Sequence, residues 1–489
     1  MKGRIKYIIL MLIVLMQFSC NDYLELLPPS GLIRDEFWQT KEDVEAVLMA
    51  GYSEFSALDR EMFVFGEVRA DMIEGDNNQN RQEELLSESN IYPERDLYSW
   101  EDWYKVINYC NEVLVNGVKV QEIDDTFTDF QRQGFEAEAY FLRSLAYFYL
   151  VRLYRDVPLV LEPTESDDVE FYIPKSSEEE VLNQIVSDLE ANIDFAPSGG
   201  FETIGENKGR ASKAAFNALL ADIALWRFDY QAVINYVEKV EANQDLVLLP
   251  SAKWFEIYYP GNSLESIFEF QYDVQLDQGN SLYGLTQRNS NQYIPSQKAI
   301  ELFAFEFATE LVRGEDATIK KYGEDEFIVW KYVGQLPDGK SVRPGVDQRS
   351  ANWIVYRLAD VLLMKAEALS QLERYNEANQ ILQTIWARAD VPVKPIANTR
   401  VAYEDVIMEE RALELAYEGK RWFDLLRLGR RNNYARKDKL IEIIVSNVPS
   451  TQKRILAVKL TNPSGWYLPI YEGEMERNKE LVQNPFYDF

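Results

Sequence analysis

The sequence predicts an all-α-dominated protein: a tetratricopeptide-like scaffold of helix hairpins that carries long irregular loops. Three observations predict it. Apolar residues recur at helical spacing along most of the chain, two stretches repeat one helix–turn–helix pattern, and segments rich in Gly, Pro, Asn, Asp and Ser lie between them.

The helical elements follow in order. "TKEDVEAVLMAGYSEF" opens with the capping-box spacing of Thr40 and Asp43, and "SSEEEVLNQIVSDLEANI" repeats it with Ser177 and Glu180. "EAEAYFLRSLAYFYLVRLYRDVPLV" reads as a long apolar helix from about Glu136, stopped ahead of Pro158. "LADIALWRFDYQAVINYVEKV" from Leu220 and "LADVLLMKAEALSQLERYNEANQILQTI" from Leu358 resemble each other. Each is a helix with small residues on one face, a short turn ending in tyrosine, and a second helix begun near Ala232 or Ala378. Small residues let neighbouring helices nest, as in tetratricopeptide hairpins. "RALELAYEGKRWFDLLRLGR", Arg411 to Arg430, reads first as one amphipathic helix with a stripe through Met408, Ala412, Leu415, Gly419, Trp422 and Leu426. A glycine interrupts that stripe. Between Glu409 and Lys439 nine Lys/Arg face six acids, a local reversal of charge in a chain of net charge −30.

Residues 71–103, 157–176, 196–212, 250–297 and 311–352 are the irregular segments, with aromatics interspersed. Loops this long inside a helical protein are binding elements or linkers, and their aromatic content argues against disorder. No domain boundary is marked. The reading is a leader, residues 1–19, followed by one domain, residues 20–489.

Composition removes several chemistries. A charge of −30 and a pI near 4.5 argue against nucleic acid, because nothing would neutralise a phosphate backbone. The chain has no histidine, which removes Ser–His and Cys–His nucleophilic systems and most catalytic zinc sites. At the N-terminus Lys2, Arg4 and Lys6 precede the apolar run "YIILMLIVLM", about half of what spans a bilayer, so it reads as the core of a signal peptide. "QFSC" follows, with Gln17 where an aliphatic residue is usual, and predicts lipidation of Cys20. The other cysteine, Cys110, shares a helical face with Trp103, Ile107 and Leu114 and is expected to be a small buried hydrophobe.

No catalytic residue can be assigned: among 81 acids, close carboxylate pairs arise by chance. No metal site or cofactor is predicted either. "DNNQNRQEELLS" begins like a calcium loop at Asp76 but places Arg81 and Ser87 where glycine and glutamate are needed. Loop aromatics remain. A sugar offers C–H faces to an aromatic ring, while amides, carboxylates and Arg bond its hydroxyls. Tyr92, Tyr98 and Trp100, with Asp71, Asn77 and Asn78, form one candidate group; Tyr283, Arg288, Asn291 and Tyr293 form another. Trp103 belongs to its helix's core face, so Tyr98 and Trp100 are expected to point outward.

Several stretches together resemble the SusD/RagB family of outer-membrane nutrient-binding lipoproteins. They are "SCNDYLELLP" with "FWQTKEDVEAVLMAGYSEF", the helix ending in "LYRDVPLV", "GRASKAAFNALLADIALW", "YRLADVLLMKAEAL" and "WYLPIYEGEMERNKELVQNPFY". Arg155 stands where the family's turn has glycine. The most specific match is "EERALELAYEGKRWFDLLRLG", close to the family's "ERRLELAFEGxRWFDLxRxG". In this light Gly419 ends or kinks a helix so that Arg421 and Trp422 dock against the repeats, while Glu409, Glu410, Glu414 and Glu418 pair with nearby Arg. The charge reversal is then scaffold.

The resemblance implies an extracellular lipoprotein on the outer membrane, held by its lipid anchor alone. It would sit as a lid on a SusC-like TonB-dependent transporter, capture glycan or oligosaccharide, and carry out no catalysis. Family ligand residues follow no fixed motif, so the site candidates stand on loop chemistry. The acidic surface favours a neutral glycan. Two other readings are a secreted helical glycoside hydrolase or lyase, which turnover of a polysaccharide panel would reveal, and a tetratricopeptide adaptor for protein partners.

Overall fold

The computed structural model describes residues 37–488 apart from 77, 165–171, 290, 306–309, 324–325, 447 and 449. Cys20 and the leader lie outside the described residues.

The longer helices are α1 (Lys41–Ser56), α2 (Asp59–Glu67), α3 (Glu101–Gln121), α4 (Asp129–Tyr154), α5 (Glu178–Asn192), α6 (Lys213–Trp226), α7 (Tyr230–Glu241), α8 (Leu358–Gln371), α9 (Tyr375–Ala389), α10 (Arg400–Glu414), α11 (Arg421–Tyr434), α12 (Lys437–Ser446) and α13 (Ser450–Leu460). Helices dominate, as the periodicity predicts. Both anticipated capping boxes form, Thr40 with Asp43 and Ser177 with Glu180. Helix α4 starts earlier than its apolar run, at Asp129, because Thr128 and Gln131 close a third box. Its first turns are mostly polar, and the first apolar residue in them, Phe130, is exposed, so hydrophobic periodicity misses them. At its C-terminus Arg155 adopts φ of +72°, keeping a positive-φ turn without the glycine.

Helices α6–α7 and α8–α9 are the two anticipated hairpins, and α7 packs on α8 although residues 242–357 separate them in sequence. Buried Ala215, Ala218, Ala221, Ala359 and Ala366 permit the close approach. Helices α1, α3 and α4 pack together on the other side, and α5 bridges α4 to the hairpins.

The stretch around Gly419 is two helices. Between α10 and α11 the chain turns with Tyr417 at φ +65° and Gly419 at φ +70°. Glu410 and Glu414 meet Arg313, Glu414 also meets Arg357 and Arg388, and Glu418 meets Arg357 and Lys331. Glu409 pairs with Lys394 instead of an arginine. All of these except the Glu409 pair are buried. A buried carboxylate is tolerable only when several donors surround it, which this crowd of Arg and Lys provides. The docking partner differs from the expectation. Trp422 is buried beneath the Arg69 guanidinium, 4.2 Å from its ring, and Arg421 grips Asp71, so α11 docks on the segment after α2. The repeats take Arg427 and Arg431 instead, both through Glu367 of α8.

Short ribbons join the irregular segments. β1 (Ile73–Gly75) pairs with β3 (Tyr293–Pro295), β2 (Ser266–Phe270) with β6 (Trp353–Arg357), and β4 (Ile319–Tyr322) with β5 (Glu326–Val329), all antiparallel. Segments 250–297 and 311–352 also build a second apolar cluster from Trp254, Phe255, Tyr258, Ile328, Trp330 and Val333, separate from the helical core. These loops are therefore a packed layer on the scaffold. Cys110 is buried, and burial pushes its thiol up to about 12. No helix among the described residues is long and apolar enough to cross a membrane.

Candidate functional site

The two loops singled out from the sequence meet. β1 and β3 align Ile73 with Pro295, Glu74 with Ile294 and Gly75 with Tyr293, and the Asp76 N–H extends the ladder to the Gln292 carbonyl at 2.8 Å. Arg60 of α2 braces the ribbon, donating to Glu83 at 2.9 Å and to the Gln292 side-chain carbonyl at 2.7 Å. Tyr293 donates its hydroxyl to Glu83 beside that brace.

The candidate residues divide by burial. Asp71 accepts both arms of Arg421, at 2.7 and 3.0 Å, and is buried. Asn291 and Tyr293 are buried as well. Tyr98 and Trp100 do not point outward: they are only 1% and 5% exposed. Trp100 meets Tyr104 and Tyr154 edge-on, at 5.7 and 5.3 Å, and its indole N–H reaches Glu474. The Tyr154 hydroxyl donates to the Tyr98 carbonyl at 2.9 Å. The reason is positional: a chain entering a core helix such as α3 carries its preceding turn into the same core. Tyr92 and Asn78 are exposed, and Asn77 lies outside the described residues.

Tyr283 and Arg288 belong to a different arrangement. Tyr259, Tyr283 and Tyr322 pack against the second apolar cluster and remain half-buried. The Tyr259 hydroxyl donates to Asp347 at 2.7 Å and accepts from Gln335 at 3.3 Å. Gln348, the next residue, hydrogen-bonds the Tyr283 hydroxyl, so the Asp347–Gln348 backbone links the two rings. Burial raises both phenols above their ordinary value. The Arg288 guanidinium lies over the Tyr322 ring, 4.7 Å from its centre, and forks onto Glu326 at 2.9 and 2.8 Å. That hydrogen bonding holds the Glu326 carboxyl below its ordinary range.

The result is a group of three tyrosines on one apolar cluster, here called the tyrosine row, edged by a carboxylate, two primary amides and a guanidinium. Such a set suits a ligand with apolar faces and many hydroxyls. Tyr259, Tyr322, Asp347 and Gln348 were not anticipated. They lie in segments recognised as loop-rich, but nothing in spacing separates Tyr259 and Tyr322 from buried neighbours such as Tyr258 and Trp330. A separate cleft of about 450 Å³ lies between the β1–β3 ribbon and α12, lined by Glu74, Gln79, Gln297 and Ile444. Its one ring, Tyr293, is fully buried, so it offers no stacking platform. Among the described residues no three His, Cys, Asp or Glu side chains converge to hold a metal ion.

Comparison with known proteins agrees with the fold. Residues 327–487 match the SusD family, and residues 22–225 match a family described as starch-binding and associating with the outer membrane. A SusD-like protein of Formosa agariphila is 28% identical, covering 95% of each chain. A SusD-like protein of Bacteroides ovatus is 24% identical over 86% of this chain and 82% of its own. Among solved structures, a SusD superfamily protein from Bacteroides vulgatus superimposes with a TM-score of 0.77 at 19% identity, over 92% of this chain and all of that one. A structure described as a laminarin-binding SusD-like protein gives 0.71 at 24% identity, over 91% of this chain and 99% of that one. With residues 22–225 and 327–487 matched by two SusD family models and SusD-like relatives aligned over most of its length, the chain belongs to the SusD/RagB family.

Proposed function

We propose that this protein is a lipid-anchored glycan-binding protein on the extracellular face of the outer membrane. It delivers oligosaccharide to a SusC-like TonB-dependent transporter and breaks no bonds in it. The observation that carries the reading is the half-buried row of Tyr259, Tyr283 and Tyr322, with Asp347, Gln348, Gln335 and Arg288 at its edge. Rings fixed on their inner side by an apolar cluster are pre-organised platforms for sugar faces. The family match adds starch binding and outer-membrane association at the level of the family, and the laminarin-binding relative shares the scaffold.

Isothermal titration of wild type, Tyr283→Ala and Tyr322→Ala against a glycan chosen from an array tests it. Loss of a stacking ring is expected to remove roughly 1–2 kcal/mol, about ten-fold in affinity. Chromatography after overnight incubation should return the glycan intact. Shortened glycan would establish an enzyme, and unchanged affinity in both variants would remove the tyrosine row from the site.

A further inference from the structure

The side chains at the tyrosine row balance, three cations against three acids, in a protein that is otherwise strongly acidic. Arg288 stacks on Tyr322 at 4.7 Å, and the Lys320 ammonium lies 5.7 Å from the same ring. At the other end, Arg343 stands 5.1 Å from the ring of Tyr259. Arg343 is buried and donates to the carbonyls of Tyr258, Lys331 and Gly334, with no carboxylate within salt-bridge distance among the described residues. These three cations face Asp316, Glu326 and Asp347, an even balance, whereas the whole chain carries 51 Lys/Arg against 81 Asp/Glu. The field that elsewhere repels anions is thus neutralised around the row, and screening over about 8 Å at physiological salt limits what reaches it from the rest of the surface.

The acids at the row are already engaged. Asp347 accepts from Tyr259, Asp316 takes Lys320 at 2.9 Å, and Glu326 takes the fork of Arg288. The last pair is informative. Arg288 and Glu326 are 49% and 46% exposed, and an exposed ion pair of this kind contributes little and exchanges easily. Its geometry is the parallel two-bond match that a guanidinium makes with any carboxylate. Glu326 therefore occupies the position that a carboxylate on a sugar would take while the sugar ring lies along Tyr283 and Tyr322.

We propose that the row selects acidic oligosaccharides, with Arg288 as the specificity-determining residue and Glu326 as a built-in carboxylate that the ligand's uronate displaces. This rests on the glycan-binding reading and reverses the neutral preference that net charge suggests.

The test compares an oligogalacturonate hexasaccharide with its carboxyl-reduced, neutral counterpart by titration at 50 and 500 mM NaCl. Wild type should bind the acidic form at least ten-fold more tightly at low salt, and the preference should shrink at high salt. Arg288→Gln should erase the preference, weakening binding of the acidic form at least ten-fold more than that of the neutral form. Glu326→Gln should strengthen binding of the acidic form, because its competitor is gone. Equal affinity for the two forms in wild type would overturn the proposal. So would an equal loss of both in Arg288→Gln, which would make Arg288 a clasp between loops and nothing more. Failure of both hexasaccharides where a neutral glycan on an array binds would remove the acidic preference and leave glycan binding standing. Failure of every glycan would remove both.

Discussion

Gly66 and Gly419 lie back to back: a Cβ on Gly66 would sit 2.2 Å from the Gly419 carbonyl oxygen. The two residues come from α2 and from the turn between α10 and α11, so this contact packs segments 353 residues apart in the chain against each other. On its other side Gly419 faces Trp353, whose ring a Cβ would approach to 2.7 Å, and it holds φ of +70°.

The contact predicts an unusual substitution series. Gly66 is inside a helix, where alanine is normally favoured by up to about 1 kcal/mol. Gly66→Ala is nevertheless expected to destabilise by about 1–3 kcal/mol, the range for overpacking. Gly419→Ala adds left-handed strain of about 1 kcal/mol to a similar clash. Denaturant unfolding measures both, and a Gly66→Ala protein as stable as wild type would contradict the back-to-back contact.

Glu67, next to Gly66, accepts the N–H groups of Gly419 at 2.8 Å and Lys420 at 3.2 Å with one oxygen. Burial raises its carboxyl to about 8. The folded state therefore holds this proton more tightly than the unfolded chain does. The stability so gained is complete below the ordinary carboxyl value and is lost as pH rises through 8. Asp59, pushed to about 6 by burial, adds a slope of the same sign at the acid end. Glu67→Gln keeps an acceptor and removes the charge, so it should flatten the fall in melting temperature between pH 5 and 8 and exceed wild type at pH 9. Parallel curves for the two proteins would show that Glu67 does not titrate in this range.

Trp100→Ala is expected to damage folding by roughly 3–5 kcal/mol, the cost of emptying a buried aromatic site. Its ring is fixed by Tyr104, Tyr154 and Glu474. Tyr283→Ala should lower the melting temperature much less, since that ring is only partly buried at the edge of the second apolar cluster. Thermal denaturation of the pair separates scaffold from site. A stable Trp100→Ala protein would return the first loop to candidacy.

Cys20→Ala tests the anchor. Wild type should fractionate with the outer membrane, because attachment through more than one acyl chain is stable. The variant should be released or stay unprocessed. Membrane retention of the variant, with no lipid on wild-type Cys20 by mass spectrometry, would rule out the lipoprotein assignment.

The scaffold role of the Gly419 stretch followed from the family resemblance, whereas helix class, the capping boxes at Thr40 and Ser177 and the paired hairpins were legible in the local sequence. Each depends on residues a few positions apart: a helix repeats every 3.6 residues and a cap spans four, so the information is local. Tertiary structure alone decided which rings face solvent. Asp71 looked like a polar loop residue until Arg421, 350 positions away, claimed it. Tyr98 and Trp100 looked free until the end of α4 and Glu474 covered them. The row of Tyr259, Tyr283 and Tyr322 exists because a second apolar cluster, assembled from two loops, covers each of these residues in part. Exposure is a property of what packs against a side chain, and for loop residues those neighbours come from anywhere in the chain.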